Sequence, residues 1–98
     1  MSNISEIALL TNLYDIYGSL LTEKQKNIFE KYYFYNLSLK EISEELNISR
    51  NGVLDSLEHT KAKLLSFEDN LSFYRKIKKV EELDIPNHIK EKILEVLK

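Results

Sequence analysis

The sequence predicts an all-α protein built on a helix-turn-helix. Two glycines and one proline in 98 residues leave almost nothing with which to turn the strands of a sheet. Apolar residues recur in steps of three and four along most of the chain, the period of a helix buried on one side. The segment Leu37–Thr60, LSLKEISEELNISRNGVLDSLEHT, carries two helix starts separated by a short break. Together these predict a helix-turn-helix core with an N-terminal helix pair and a long C-terminal helical extension.

Five helical segments follow in order. The first runs from about Ser5 to Tyr17, with Ile7, Leu10, Leu13, Tyr14 and Tyr17 on one face. Gly18 is expected to stop it in the left-handed conformation. Thr22 starts the second, where Gln25 three residues on completes a capping box and Ile28, Phe29, Tyr32 and Tyr33 form the inner face. Ser38 and Glu41 form another capping box, and Leu37 and Ile42 fall where a hydrophobic staple closes over it. Asn47-Ile48-Ser49 interrupts that helix, Ser49 caps the next, and Ile48 with Val53 makes a second staple.

The fourth segment is long. Val53, Leu57, Thr60, Leu64, Phe67, Leu71 and Tyr74 form a heptad-like seam, with Glu68-Asp69-Asn70 as a weak point that bends or splits it. Such a seam needs cover from the first two helices or from a second subunit. A homodimer is expected, because the extension outruns a compact three-helix core. Pro86 suits the first turn of a fifth helix reaching Leu97, with Ile89, Ile93, Val96 and Leu97 apolar. Residues 1–98 are expected to form a single helix-turn-helix domain, core 5–65 and helical extension 66–98.

Composition narrows the function. With 43% hydrophobic and 31% charged residues the chain has the balance of a folded soluble domain rather than a disordered one. The absence of cysteine excludes thiol catalysis and thiolate metal sites. No apolar run has membrane-spanning length and the N-terminus lacks a basic signal-peptide start, so a cytoplasmic protein is expected, without membrane contact. The net charge of −2 opposes strong non-specific attachment to phosphate backbones. His59 and His88 lack metal-ligand spacing, and no glycine-rich phosphate loop or nucleophile turn is present. Neither an enzyme nor a cofactor is expected.

In a helix-turn-helix the start of the second helix meets the partner. At roughly 100° per residue, Asn51, Gly52, Asp55, Ser56, His59 and Lys63 lie opposite the seam, with Arg50 in the first turn. Arg50, Asn51, Asp55, Ser56, His59 and Lys63 are therefore the candidate nucleic-acid or partner-binding residues. Arg50 and Asn51 can each form paired hydrogen bonds to a base, whereas Asp55 and Glu58 repel phosphates. Gly52 costs up to about 1 kcal/mol relative to alanine in a helix, which marks either a close approach or mere tolerance. Arg75, Lys76, Lys78 and Lys79 form a secondary basic patch, able to touch an RNA backbone or an acidic partner, or else a solvated face on which Lys78 pairs with Glu82. Most aromatic residues lie at core spacing. Phe34 and Tyr35 fall beyond that face and are the better candidates for exposed contact.

LYDIYGSLLTEKQ (Leu13–Gln25) followed by LSLKEISEELNISRNGVLDSLEHT closely resembles the YlxM-type helix-turn-helix proteins of low-GC Gram-positive bacteria and mycoplasmas, over about Ile7–Tyr74. LSLKEISEELNISR is also similar to the DNA-binding region four of sigma factors, which implies a sigma region-four-like, winged-helix-like fold and DNA contact through the helix starting at Arg50. The YlxM resemblance implies a regulatory protein of the signal recognition particle pathway, because genes of that family lie beside those for the particle's GTPase and its receptor. Glu58-His59 stands where the family commonly has a basic pair, and Gly52 where it usually has alanine. The expected partners are thus the signal recognition particle RNA or GTPase, with duplex DNA as the alternative for a dimeric transcription regulator.

Overall fold

The computed structural model describes residues 4–97, all of them in helices or the turns between helices. In chain order these are α1 (Ile4–Tyr17), a 3-10 turn (Gly18–Leu20), α2 (Glu23–Tyr33), α3 (Leu39–Leu46), α4 (Arg50–Leu71), α5 (Phe73–Glu81) and α6 (Asn87–Leu97). The assembly is a rod, 50 × 23 × 19 Å, because α4 alone extends about 33 Å at 1.5 Å per residue.

Local chemistry sets the helix starts as the sequence predicts. At Thr22 the side chain accepts from Gln25 N and the Gln25 side chain accepts from Thr22 N, a complete capping box. Ser38 and Glu41 repeat it at α3, and those bonds hold the exposed Glu41 carboxyl below its ordinary range. Gly18 departs from expectation. No glycine has a positive φ, and Gly18 is buried at the start of the 3-10 turn. A Cβ there would lie 3.3 Å from the Tyr14 ring, so the residue is small to admit that ring rather than to reverse the helix.

Two apolar clusters lie along the rod. Leu10, Leu13, Tyr17, Leu21, Phe29 and Leu64 form the first. Ile28, Ile42, Val53 and Leu57 form the second, with Leu37 and Ile48 packed against it, so both staples close into one core. The Tyr14 ring stacks on Phe29 at 4.4 Å between centroids, and its hydroxyl donates to Glu30 Oε2 at 2.5 Å. Burial and that carboxylate both push the Tyr14 phenol up. Val53, Leu57, Thr60 and Leu64 of the seam are buried, and Phe67 and Tyr74 pack against the first cluster. Cover for this part of the seam therefore comes from the same chain.

The helix after Ser49 does not break at Glu68-Asp69-Asn70. It runs unbroken to Leu71 and reverses at Ser72, whose φ of 59° is left-handed, giving six α-helices among the described residues rather than five. The weak-propensity residues survive inside α4 because Glu68 is anchored. The Tyr17 hydroxyl donates to Glu68 Oε1 at 2.7 Å, as does the backbone N–H of Tyr74 at 3.1 Å. Oε2 accepts from the backbone N–H of Arg75 at 3.2 Å and from Arg75 Nε at 3.1 Å. The Tyr17 oxygen in turn accepts from Phe73 N at 3.0 Å. One carboxylate thus satisfies free N–H groups at the start of α5 and ties α4, α5 and α1 together.

Burial alone would raise the Glu68 carboxyl, but Tyr17, the two backbone donors and Arg75 together hold it below the ordinary carboxylate range. A depressed folded-state value means this stabilisation is complete above the unfolded value, near about 4.3, and is lost as pH falls through the folded one. Urea denaturation should show a stability loss on acidification below about pH 4.5 that Glu68→Gln reduces, the Glu41 share remaining. At neutral pH Glu68→Ala should cost about 3 kcal/mol, because it orphans the Tyr17 hydroxyl and two backbone donors, and Glu68→Gln distinctly less.

Candidate partner-binding surface

α3 and α4 meet across Asn47–Ser49. Asn47 takes the left-handed conformation, φ 56° and ψ 47°, and Ile48 N donates to Ser43 O at 3.0 Å, a Schellman-type closure. Asparagine tolerates this backbone through its short polar side chain. Ser49 then caps α4 by accepting from Gly52 N at 2.9 Å. A Cβ on Gly52 would lie 3.2 Å from that hydroxyl oxygen, so of the two readings of this glycine the structure favours close approach. Lys31 of α2 donates to Glu45 of α3 at 2.5 Å and braces the pair from behind.

The turn leaves the start of α4 open. Arg50, Asn51, Asp55, His59 and Lys63 are all exposed, and Ser56 is half-buried. At roughly 100° per residue Asn51, Asp55, Ser56, His59 and Lys63 fall on the side of α4 away from Leu57 and Leu64, whereas Arg50 falls beside the Leu57 edge, so the first turn offers Arg50 and Asn51 from different sides. Their freedom differs. His59 Nδ1 lies 2.8 Å from the Asp55 carbonyl oxygen; since a carbonyl only accepts, Nδ1 carries the proton and Nε2 is an acceptor in the neutral ring. Lys63 Nζ donates to Gln25 Oε1 at 3.3 Å, which draws it toward the α2 cap. Arg50 at one end and Lys63 at the other enclose the exposed Asp55 and Glu58, and the strip is close to neutral. Leu54, also exposed, adds an apolar neighbour.

The secondary patch lies at the far end of α4. Arg75, Lys76, Lys78 and Lys79 are exposed on α5, but Arg75 is bonded to Glu68 and, through Nη2, to Ser72 Oγ at 3.1 Å. Lys78 does not pair with Glu82; its ammonium lies 5.6 Å from the Tyr74 ring centroid. The ring offers a contact one helical turn back that an exposed carboxylate in water does not better. Tyr35 is 67% exposed, as its position predicts, whereas Phe34 is half-exposed with its ring 5.7 Å from that of Tyr14. Glu68 and Ser72, which set the α5 patch, were not among the predicted functional residues. Their only sequence signal is an acid and a serine shortly before a basic run. Among the described residues no cluster of His, Asp or Glu has the makings of a metal site, and no helix is long and apolar enough to cross a membrane.

This arrangement defines an all-α helix-turn-helix protein with an open second-helix start. The chain belongs to the UPF0122 family, described as "Putative helix-turn-helix protein, YlxM / p13 like", whose model matches residues 4–97. It is 45% identical over 82 residues to a UPF0122 protein of Caldanaerobacter subterraneus subsp. tengcongensis, covering 80% of this chain and 70% of the relative. It is 48% identical over 71 residues to one from a Thermoanaerobacter strain, covering 72% and 61%. A relative from Fusobacterium nucleatum is 39% identical over 77 residues, covering 79% and 75%. The match thus spans less than two thirds of the Thermoanaerobacter relative's length. The family is described as one of helix-turn-helix proteins.

The left-handed turn residue offers a direct check. Asn47→Gly should leave the urea midpoint nearly unchanged, whereas Asn47→Ala should cost about 1 kcal/mol, since alanine gains no compensating side-chain bond at positive φ.

Proposed function

We propose that this protein is a cytoplasmic regulatory accessory factor of the signal recognition particle pathway, contacting the particle's RNA or its GTPase through the α3–α4 surface. The observation that carries a binding role is the open start of α4, where Arg50 and Asn51 stand exposed beyond a stapled and capped turn. The pathway itself rests on the gene neighbourhood of the YlxM-type family. The near-neutral strip supports this partner over duplex DNA. A groove-reading helix sits between two phosphate backbones, and Asp55 and Glu58 oppose that position.

A second reading, a dimeric transcription regulator, is favoured by the same stapled turn, since Arg50 and Asn51 suit guanine and adenine edges. Titrating purified protein against duplex DNA, the particle's RNA and its GTPase over a salt series separates the two. The accessory-factor reading expects RNA affinity that falls with salt, or GTPase affinity that barely changes, with duplex DNA held only weakly. Arg50→Ala should weaken the particle complex by about tenfold or more. Sequence-specific duplex binding abolished by Arg50→Ala would replace it with the transcription-regulator reading. Hydrodynamic size at several concentrations tests the homodimer that both readings accommodate.

A further inference from the structure

The strongest local charge in the molecule lies outside the helix-turn-helix, on α5. Arg75, Lys76, Lys78 and Lys79 surround Ile77 in sequence and, at roughly 100° per residue, occupy an arc of about 160° on the side away from it. Ile77 is only 5% exposed, and Phe73 and Tyr74 pack against the first cluster. The apolar side of α5 is thus consumed by the fold. An interfacial membrane helix must bury such a side among lipids, so α5 does not have one to offer.

The lysines are available. Among the described residues, ion pairs engage Lys26, Lys31, Lys61 and Arg75, and none involves Lys76, Lys78 or Lys79. Lys76 lies 5.6 Å from the Phe73 ring centroid and Lys78 equally far from that of Tyr74. Such contacts order an ammonium without neutralising it. Arg75 has a different part. Its bonds to Glu68 and Ser72 fix the first turn of α5 against the end of α4, so the lysines stand on a clamped helix. Glu82, at the C-cap, falls within this arc between the directions of Lys78 and Arg75 but at the far end of the helix, and Glu81 falls on the opposite side.

We propose that this face of α5 binds the phosphodiester backbone of a nucleic acid, with Lys76, Lys78 and Lys79 contacting phosphates and Arg75 acting as a positioning residue. The proposal deepens the RNA branch of the function above and rests on that reading for its biological setting, but it depends on α5 and not on Arg50. A protein partner would need an apolar anchor at the centre of the contact, and this arc has none. Phosphate contact needs only unpaired cations at accessible positions, and it carries no sequence information.

Fluorescence anisotropy of the full chain with a labelled RNA hairpin and a labelled DNA duplex, each over a salt series, tests it. Lys76→Gln/Lys78→Gln/Lys79→Gln should reduce the slope of log K against log salt by about two to three, equally for unrelated sequences. Lys24→Gln/Lys92→Gln removes charge from exposed positions outside both α5 and the α3–α4 surface and should leave the slope unchanged. Preference for one probe identifies RNA or DNA as the source of the backbone. An unchanged slope in the α5 variant, an equal loss in the control, or no binding to either probe overturns the proposal, as does tighter lysine-dependent binding to anionic vesicles. Arg50→Ala is titrated alongside. Loss there with the α5 variant unaffected leaves the helix-turn-helix reading standing and removes this one; the converse removes the Arg50 contact and keeps the α5 face. Thermal melting of each variant confirms that it folds.

Discussion

One face of α4 has to serve two cores at once, and the architecture depends on that constraint. Val53 and Leu57 close the cluster that holds the helix-turn-helix, and Leu64 closes the cluster built on α1 and α2. Each such side chain contributes about 1.5–3 kcal/mol on full burial, so α4 cannot rotate about its axis without emptying both. Thr60 lies between them with its hydroxyl oxygen buried and unbonded, a polar cost accepted where the rod passes from one cluster to the next. The orientation of Arg50 and Asn51 is therefore set by packing up to 14 residues further along the same helix.

At its other end α4 is held by a single carboxylate. Glu68 is stabilising here because it is fully used: both oxygens accept hydrogen bonds, from α1, from the start of α5 and from Arg75. A buried acid with one partner would be a liability, and the same acid with four donors forms a joint. The joint also explains why a serine adopts a positive φ at residue 72. The hydrogen bonds on either side of it determine where the chain goes, and Ser72 Oγ accepts from Arg75 in that conformation.

The difference between these two ends decides what was legible in the sequence. The capping boxes at Thr22 and Ser38, the Ser49 cap and both staples involve residues no more than five apart, so their spacing carries the whole signal. The exposed strip of α4 follows from the same periodicity. The joint does not. Tyr17 and Glu68 are 51 residues apart, and only the packing of α1 against α4 brings them together. Helix propensity at Glu68-Asp69-Asn70 pointed to a break three residues too early, because tertiary hydrogen bonds outweigh a few tenths of a kcal/mol per residue. Gly18 was misread for a similar reason, since the Tyr14 ring that demands its small size lies beside it only once the helix has formed.

The two ends also differ electrically, and this bears on how the molecule engages a partner. Along α4 the cations Arg50 and Lys63 are offset by Asp55 and Glu58, so contact there draws little on counterion release and must gain its free energy from hydrogen-bond geometry and burial. On α5 three lysines have no carboxylate partner among the described residues, and the contact proposed there would be long-ranged, salt-sensitive and indifferent to sequence. The two proposed contacts thereby place specificity and attraction at opposite ends of a helix about 33 Å long. A rod with that division can be drawn in by one end while the other discriminates. Glu68 makes the relation between the two ends mechanical, because it ties the start of α5 to the end of α4.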